Sequence, residues 1–393
     1  MYKISKLIVL ICLSFGLKAQ DLSLEKLIDI GIKNNKDIEA SIKKIDLQKT
    51  LINTAYEVPK TNIELQVGSI QNPGIVDYSL SAAQFFELPK VYQLKKQYQQ
   101  ALVSESEAFS KLAITDLKYR ISLAYFELGY FERLKGLYKQ ETSKLYDLEK
   151  VYQRRFEEGE SDLANVLAIG LKIKEFGIKI KTLEQLEEEQ KSKLKVLTFT
   201  TSLPQLSFID ADFSKTIASS KISNSRLEIL NSQVITAENN MLVEKSKLMP
   251  SLKLGAINQS MFGYRNQFIG IAGVEIPIFR KAMQARVDGA KIQKDILETE
   301  YVSLENQIKN EVDLTLKWIA SDREKVSELE TEILPKSETL MDISNKKYKA
   351  GAIEYLDWYL YYNQFLGYKT EQIQLLRDLN QRVSLLKFLT ENE

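Results

Sequence analysis

Very little in this sequence can move a proton, hold a soft metal or attack a carbonyl. It contains no histidine, and its single cysteine, Cys12, lies in an apolar run close to the amino terminus. An imidazole for zinc ligation or general base catalysis is therefore missing, and a thiolate nucleophile would be confined to that run. What remains is carboxylates and phenols. Asp357 stands in the first turn of a helical pattern that begins just after Gly351, where an acid complements the helix dipole. Tyr355, Trp358, Tyr359, Tyr361, Tyr362, Phe365 and Tyr368 follow as a dense aromatic run whose spacing suits packing between helices. No pocket-forming catalytic motif accompanies them, and an enzyme is not expected. Neither cofactor nor metal site is expected.

The elements that hold these residues occur twice. Residues 152–163 (YQRRFEEGESDL) return as residues 344–355 (SNKKYKAGAIEY), 192 positions later. Lys195-Val196-Leu197-Thr198 is matched by Lys387-Phe388-Leu389-Thr390 at the same offset. Upstream, Glu87-Leu88-Pro89 is answered by Glu275-Ile276-Pro277, and Pro59 by Pro250. Such a period indicates duplication of one unit. The expected boundaries are a first repeat over 21–198, a linker over 199–222 that loses the heptads, and a second repeat over 223–393.

In each repeat a helix stops at a proline, two strands follow, and a very long helix leads to a glycine. The helices are predicted over about 22–56 and 225–248. The first strand pair spans about 61–86: Ile63, Leu65 and Val67 alternate with Asn62, Glu64 and Gln66 in a strand that continues to Ile70, and Asn72-Pro73-Gly74 supplies a turn. The second pair spans about 251–276, around a loop from Met261 to Asn266, and its last strand alternates poorly. From Val91 to Glu158 apolar residues keep near-heptad spacing, which is on the order of 100 Å of helix. Pro335 should kink the corresponding helix of the second repeat. Beyond Gly159 and Gly351 the chain returns as a second helix, making two long αα-hairpins with tips at about 156–163 and 348–357. The charge run Glu184–Lys193 reads as a solvated face.

The first twenty residues are distinct. Lys3 and Lys6 precede an apolar run from Leu7 to Leu17, too short to span a bilayer and proportioned like a secretory signal. Cleavage near Ala19 or Gln20 would remove Cys12. The near-zero net charge of +1 gives no electrostatic case for nucleic acid.

Four amphipathic strands of membrane-spanning length cannot close a barrel, and lipid does not tolerate open sheet edges. Copies of the chain must then share one. Three copies give twelve strands, wide enough for an aqueous lumen.

At this point the sequence resembles the TolC family of outer-membrane efflux channels over nearly all of residues 22–393. Ile333-Leu334-Pro335, Tyr348-x-x-Gly351 and Leu356-Asp357 carry the resemblance in the second repeat, and Phe156-x-x-Gly159 with Leu163 in the first. Chain length and the Glu-x-Pro strand exits look most like the heavy-metal (CusC/CzcC-like) branch. The resemblance implies a mainly α fold with a small β part. The αα-hairpins would form a periplasmic tunnel, and four transmembrane strands per chain would complete a 12-stranded barrel in a homotrimer. It implies a passive exit duct in the outer membrane for metal cations or drugs, joined through a periplasmic adaptor to an inner-membrane transporter of the RND type. The adaptor would dock at the tips, through Phe156, Gly159, Ser161, Asp162, Tyr348, Gly351, Ile353 and Glu354. Asp357 would line the periplasmic aperture; Asn165 is its first-repeat equivalent, and Leu360 lies three residues beyond. The alternative from the residues alone is a soluble periplasmic coiled-coil adaptor or scaffold.

Overall fold

The computed structural model describes residues 23–69, 73–211 and 223–391. The expected signal segment with Cys12, residues Ile70 and Asn72, and residues 212–222 of the linker lie outside them. In chain order the elements are α1 (Leu24–Asn34), α2 (Lys36–Leu51), a 3-10 turn (Ile52–Tyr56), β1 (Asn62–Gly68), β2 (Asp77–Phe86), α3 (Pro89–Glu157) and α4 (Leu163–Thr198). The second half holds α5 (Ser225–Ser246), β3 (Ser251–Met261), β4 (Tyr264–Glu275), α6 (Lys281–Glu328), a π turn (Leu329–Ile333), α7 (Leu334–Lys349) and α8 (Tyr355–Thr390). The chain is mainly helical with one small antiparallel sheet, as expected. By compactness the described residues form two units, one of 23–34, 120–211 and 326–381, the other of 35–69, 73–119, 223–325 and 382–391. Both units take segments from both halves of the sequence.

The first unit is a helical hairpin pair with an apolar seam. Phe131, Leu134, Tyr138, Leu145, Leu148 and Tyr152 recur three, four or seven apart along α3 and are all buried. Val166, Ile169, Ile173 and Phe176 of α4 answer them, with Trp358, Tyr362 and Phe365 of α8. Each such side chain contributes about 1.5–3 kcal/mol by leaving water, which holds helices too long to be stable alone. The Glu184–Lys193 run is only partly the solvated face expected: Glu187 is mostly covered and ion-paired with Lys135 of α3.

The linker start is strapped onto this unit. Tyr125 Oη donates to Ser207 O and accepts from Ile209 N–H, and Ala211 N–H donates to Asn380 Oδ1 at 2.7 Å. Phe208 lies over Gly129, where an added Cβ would come within 3.1 Å of its ring. Polar closure by Tyr125 and Asn380, with a ring in a glycine notch, replaces the lost heptads.

The second unit contains the sheet, in the order β1-β2-β3-β4 with every pair antiparallel. Beside it, Ser41 Oγ of α2 meets Ser110 Oγ of α3 at 2.9 Å, and Tyr119 of α3 stacks on Phe388 of α8 at 4.9 Å. Arg382 of α8 lies over the Trp318 ring of α6, 4.3 Å from its centroid.

Three expectations change in detail. The helix over 22–56 is interrupted at Asn35, whose extended backbone (ψ 125°) lets its Oδ1 accept from Asp37 and Ile38 N–H and cap α2. The expected Met261–Asn266 loop is a two-residue turn, because Phe262 and Gly263 both take positive φ, 51° and 81°, matching the twist of the flanking strands. At Pro335 the expected kink is a π turn: Leu334 N–H reaches Leu329 O, and the wider turn precedes a residue with no N–H to give.

Candidate functional site

Both hairpin tips are built by one device. In the first, Gly159 N–H donates to Phe156 O at 3.1 Å and Glu160 N–H to Arg155 O at 2.7 Å. In the second, Gly351 N–H donates to Tyr348 O at 3.0 Å and Ala352 N–H to Lys347 O at 2.9 Å. The glycines sit at φ 76° and 72°, the left-handed conformation this cap requires. Asp162 then caps α4 by accepting from Ala164 N–H at 3.1 Å. The two glycine-cap bonds of the first tip thus recur in the second at the 192-residue offset.

The two tips are not equivalent in what they expose. Phe156 is 38 % exposed, whereas Tyr348, 192 positions later, is 1 % exposed. Tyr348 is the centre of a column: Tyr152 stacks on it at 4.3 Å, Trp358 on its other side at 5.1 Å, and Tyr362 on Trp358 at 4.9 Å. Tyr152 Oη donates to Tyr348 O at 2.9 Å, and Trp358 Nε1–H to Asn345 Oδ1 at 2.8 Å. The aromatic run is largely packing, as its spacing suggests. Burial raises the pKa of Tyr152, Tyr348 and Tyr362, the last also through the nearby Glu141 carboxylate. Burial pushes Tyr355 up to about 12.

Arg155 ties one tip to the other. Its Nη1 donates to Lys349 O at 3.3 Å, and its guanidinium lies where a Cβ on Gly351 would fall, 2.5 Å from Nη2. A cation at a helix end is legible in sequence as dipole chemistry. That it reaches the carbonyl of a different helix is not.

Of the tip residues expected to contact a partner, Gly159, Asp162, Gly351 and Glu354 are exposed, Ser161 and Ile353 half-buried, and Tyr348 interior. Tyr348 therefore shapes the tip from inside. Asp357 is exposed in the first turn of α8, flanked by Leu356 and Leu360, 63 % and 58 % exposed. Asn165 instead donates its side-chain amide to Ser161 Oγ at 3.2 Å. The tips bring carboxylates, cations and apolar side chains to a surface. Among the described residues no group of three acidic, histidine or cysteine side chains is arranged to hold a metal ion.

The sheet supplies the second surface. Its register puts Ile63, Leu65 and Val67 of β1 in rows with Ala82, Leu80 and Tyr78 of β2. The Ile63 row continues through Ala256 to Gly270 and the Leu65 row through Asn258 to Phe268. Beyond the end of β1, Gln84 and Phe86 of β2 pair with Leu254 and Leu252 of β3, which pair with Ala272 and Val274 of β4. This face is therefore mostly apolar, with Gln84 and Asn258 as its polar members. Ile63 is 69 % and Phe268 78 % exposed, so this apolar face is uncovered. The opposite face carries Asn62, Glu64, Gln66, Ser79, Ser81, Lys253, Gln259 and Gln267, interrupted by Ala83, Phe85, Ile257, Ile269 and Ile271. The poor alternation of β4 is thus two isoleucines on the polar side. Among the described residues both edge strands, β1 and β4, lack a partner on their outer side. Among the described residues no helix is long and apolar enough to cross a membrane.

Long helical hairpins and a four-stranded, two-faced sheet make a fold that this chain shares with solved outer-membrane channels. The channel CusC superimposes with a TM-score of 0.80 at 16 % identity, over 94 % of this chain and 92 % of that one. The outer-membrane channel OprN matches with a TM-score of 0.77 at 13 % identity, over 94 % and 90 %. The outer membrane protein VceC of Vibrio cholerae matches with a TM-score of 0.76 at 12 % identity, over 93 % and 96 %. No family model matches the sequence, and no curated protein matches it. The fold implied by the sequence resemblance is the fold observed.

Proposed function

We propose that this chain is a TolC-family outer-membrane channel subunit, the passive exit duct of a tripartite efflux pump. The observation that carries the reading is the sheet: one apolar face open to its surroundings and two unpaired edges. A large uncovered apolar face is unfavourable in water and open sheet edges are not tolerated in lipid, and copies joined edge to edge around a lumen would satisfy both. Three copies would supply twelve strands, with the polar face inward. The protein would then reside in the outer membrane, with its helical hairpins in the periplasm. At their tips a periplasmic adaptor would dock, bridging to an inner-membrane transporter of the RND type. The tips suit this role because their backbone is fixed by paired glycine caps while their acids, lysines and Phe156 stay exposed. Metal cations or drugs are the substrate classes that fit a duct, and no residue need bind them tightly. Three Asp357 carboxylates would form an acidic ring at the aperture, attracting cations.

Planar-bilayer recording of the purified protein tests this. The expected result is discrete channel currents, with larger unitary conductance or weaker cation block in Asp357→Ala. Unchanged currents in that variant would remove Asp357 from the aperture while leaving the duct. Absence of channels, with recovery of the protein in the soluble periplasmic fraction, would favour a coiled-coil adaptor or scaffold instead.

A further inference from the structure

Among the described residues the most exposed large apolar side chain is not on the sheet but just beyond it. Phe279 is 92 % exposed and Ile278 82 %, in the short segment where β4 leaves for α6. This segment is held rather than loose: Pro277 fixes its own φ, and Arg280 Nε–H donates back to Pro277 O at 3.0 Å. Two large apolar groups displayed on a fixed backbone are the makings of an interface anchor, since little entropy remains to be lost on contact.

The strand order says what it meets. Asn62, Ala83, Gly255 and Ile271 form one row across the sheet. The residues before Asn62 and those after Ile271 run past that row at the same end of the sheet, on opposite edges. If β4 of one copy pairs with β1 of the next, the segment after β4 arrives beside the segment before β1. That second segment is apolar and uncovered too, with Tyr56 53 % and Val58 44 % exposed. Tyr56 is braced by stacking on Tyr92 at 6.5 Å, with Lys96 over its ring. The charges match as well: exposed Glu57 lies between these two residues, and Arg280 directly follows Phe279.

We propose that Ile278 and Phe279 of one copy pack on Tyr56 and Val58 of the neighbouring copy, forming an apolar collar that fastens the assembly outside the strands. This rests on the reading of the chain as a shared barrel, and the experiment separates the two. With Cys12 replaced by serine, Val58→Cys is combined with either Ile278→Cys or Phe279→Cys in the full chain, and the detergent-solubilised protein is oxidised. Within one chain the two positions flank opposite edges of a four-stranded sheet, about 14 Å apart at usual strand spacing, too far for a disulfide. The expected result is a ladder of covalent dimers and trimers in at least one double variant, absent from every single variant and abolished by reductant. The mass of the unoxidised complex is measured in parallel. A multi-copy mass without cross-linking in either pair overturns the collar and leaves the shared barrel standing. Contact of Phe279→Cys with nitroxide-labelled lipid in that state would show lipid covering the segment instead. A single-copy mass overturns both.

Discussion

A methyl group added at Gly351 meets two obstacles, whereas the same methyl at Gly159 meets one. Both backbones are left-handed, which costs any other L-residue about 1–2 kcal/mol. Around Gly159 the space is open, but at Gly351 the new carbon would collide with the Arg155 guanidinium. Arg155 must then swing away and release Lys349 O, a loss of about 1 kcal/mol for a partly exposed charged hydrogen bond. Gly351→Ala should therefore lower stability more than Gly159→Ala in thermal unfolding of the detergent-solubilised protein. In an Arg155→Ala background the two glycine substitutions should cost the same. Equal losses in the presence of Arg155 would mean the arginine does not brace the second tip.

At the scale of elements, the tyrosine column makes the tip sensitive to alkali. Tyr152, Tyr348, Tyr355 and Tyr362 are all held above the ordinary phenol value of 10 by burial. The folded tip thus binds these protons more tightly than the unfolded chain does. Its stabilisation is complete below about pH 10 and drains away as pH climbs through the folded values, about 12 for Tyr355. Tyr355 is partly exposed, so its own share is on the order of 1 kcal/mol after screening. Near-ultraviolet circular dichroism should be lost cooperatively with the appearance of tyrosinate absorbance above pH 10. Tyrosinate that forms gradually with no loss of tip structure would contradict the packing described. The column was half legible in the sequence. Tyr152 and the α3 seam follow a heptad, so period alone marks them as core. The stacking of Tyr348 between Tyr152 and Trp358 joins residues far apart in the chain, which no local pattern encodes. For the same reason the Phe208 strap was hidden: its partners Tyr125, Gly129 and Asn380 lie in other helices. Asn35 was legible in principle, since asparagine followed by acids in the next turn is a cap signal, but the continuing apolar period masked it.

For the whole molecule the question is which solvent the sheet was built for. Its two faces differ residue by residue, so neighbouring positions on one strand report on opposite surroundings. Leu65 lies in a row with Leu80 on the apolar face, 63 % exposed, while Gln66, paired with Ser79, points to the other. If the apolar face looks into lipid, Leu65→Arg places a cation in hydrocarbon at about 2–4 kcal/mol per copy near the midplane. A ring of three copies would carry that penalty three times. Gln66→Arg adds the same charge to a wet lumen and should cost little. The expected outcome is that Leu65→Arg fails to accumulate in the outer-membrane fraction while Gln66→Arg assembles normally. The combination matters more than either variant alone, because two arginines one residue apart share every general effect on expression and folding. Equal recovery of both would mean that the apolar face never meets lipid, and the reading as a channel would lose the observation it stands on.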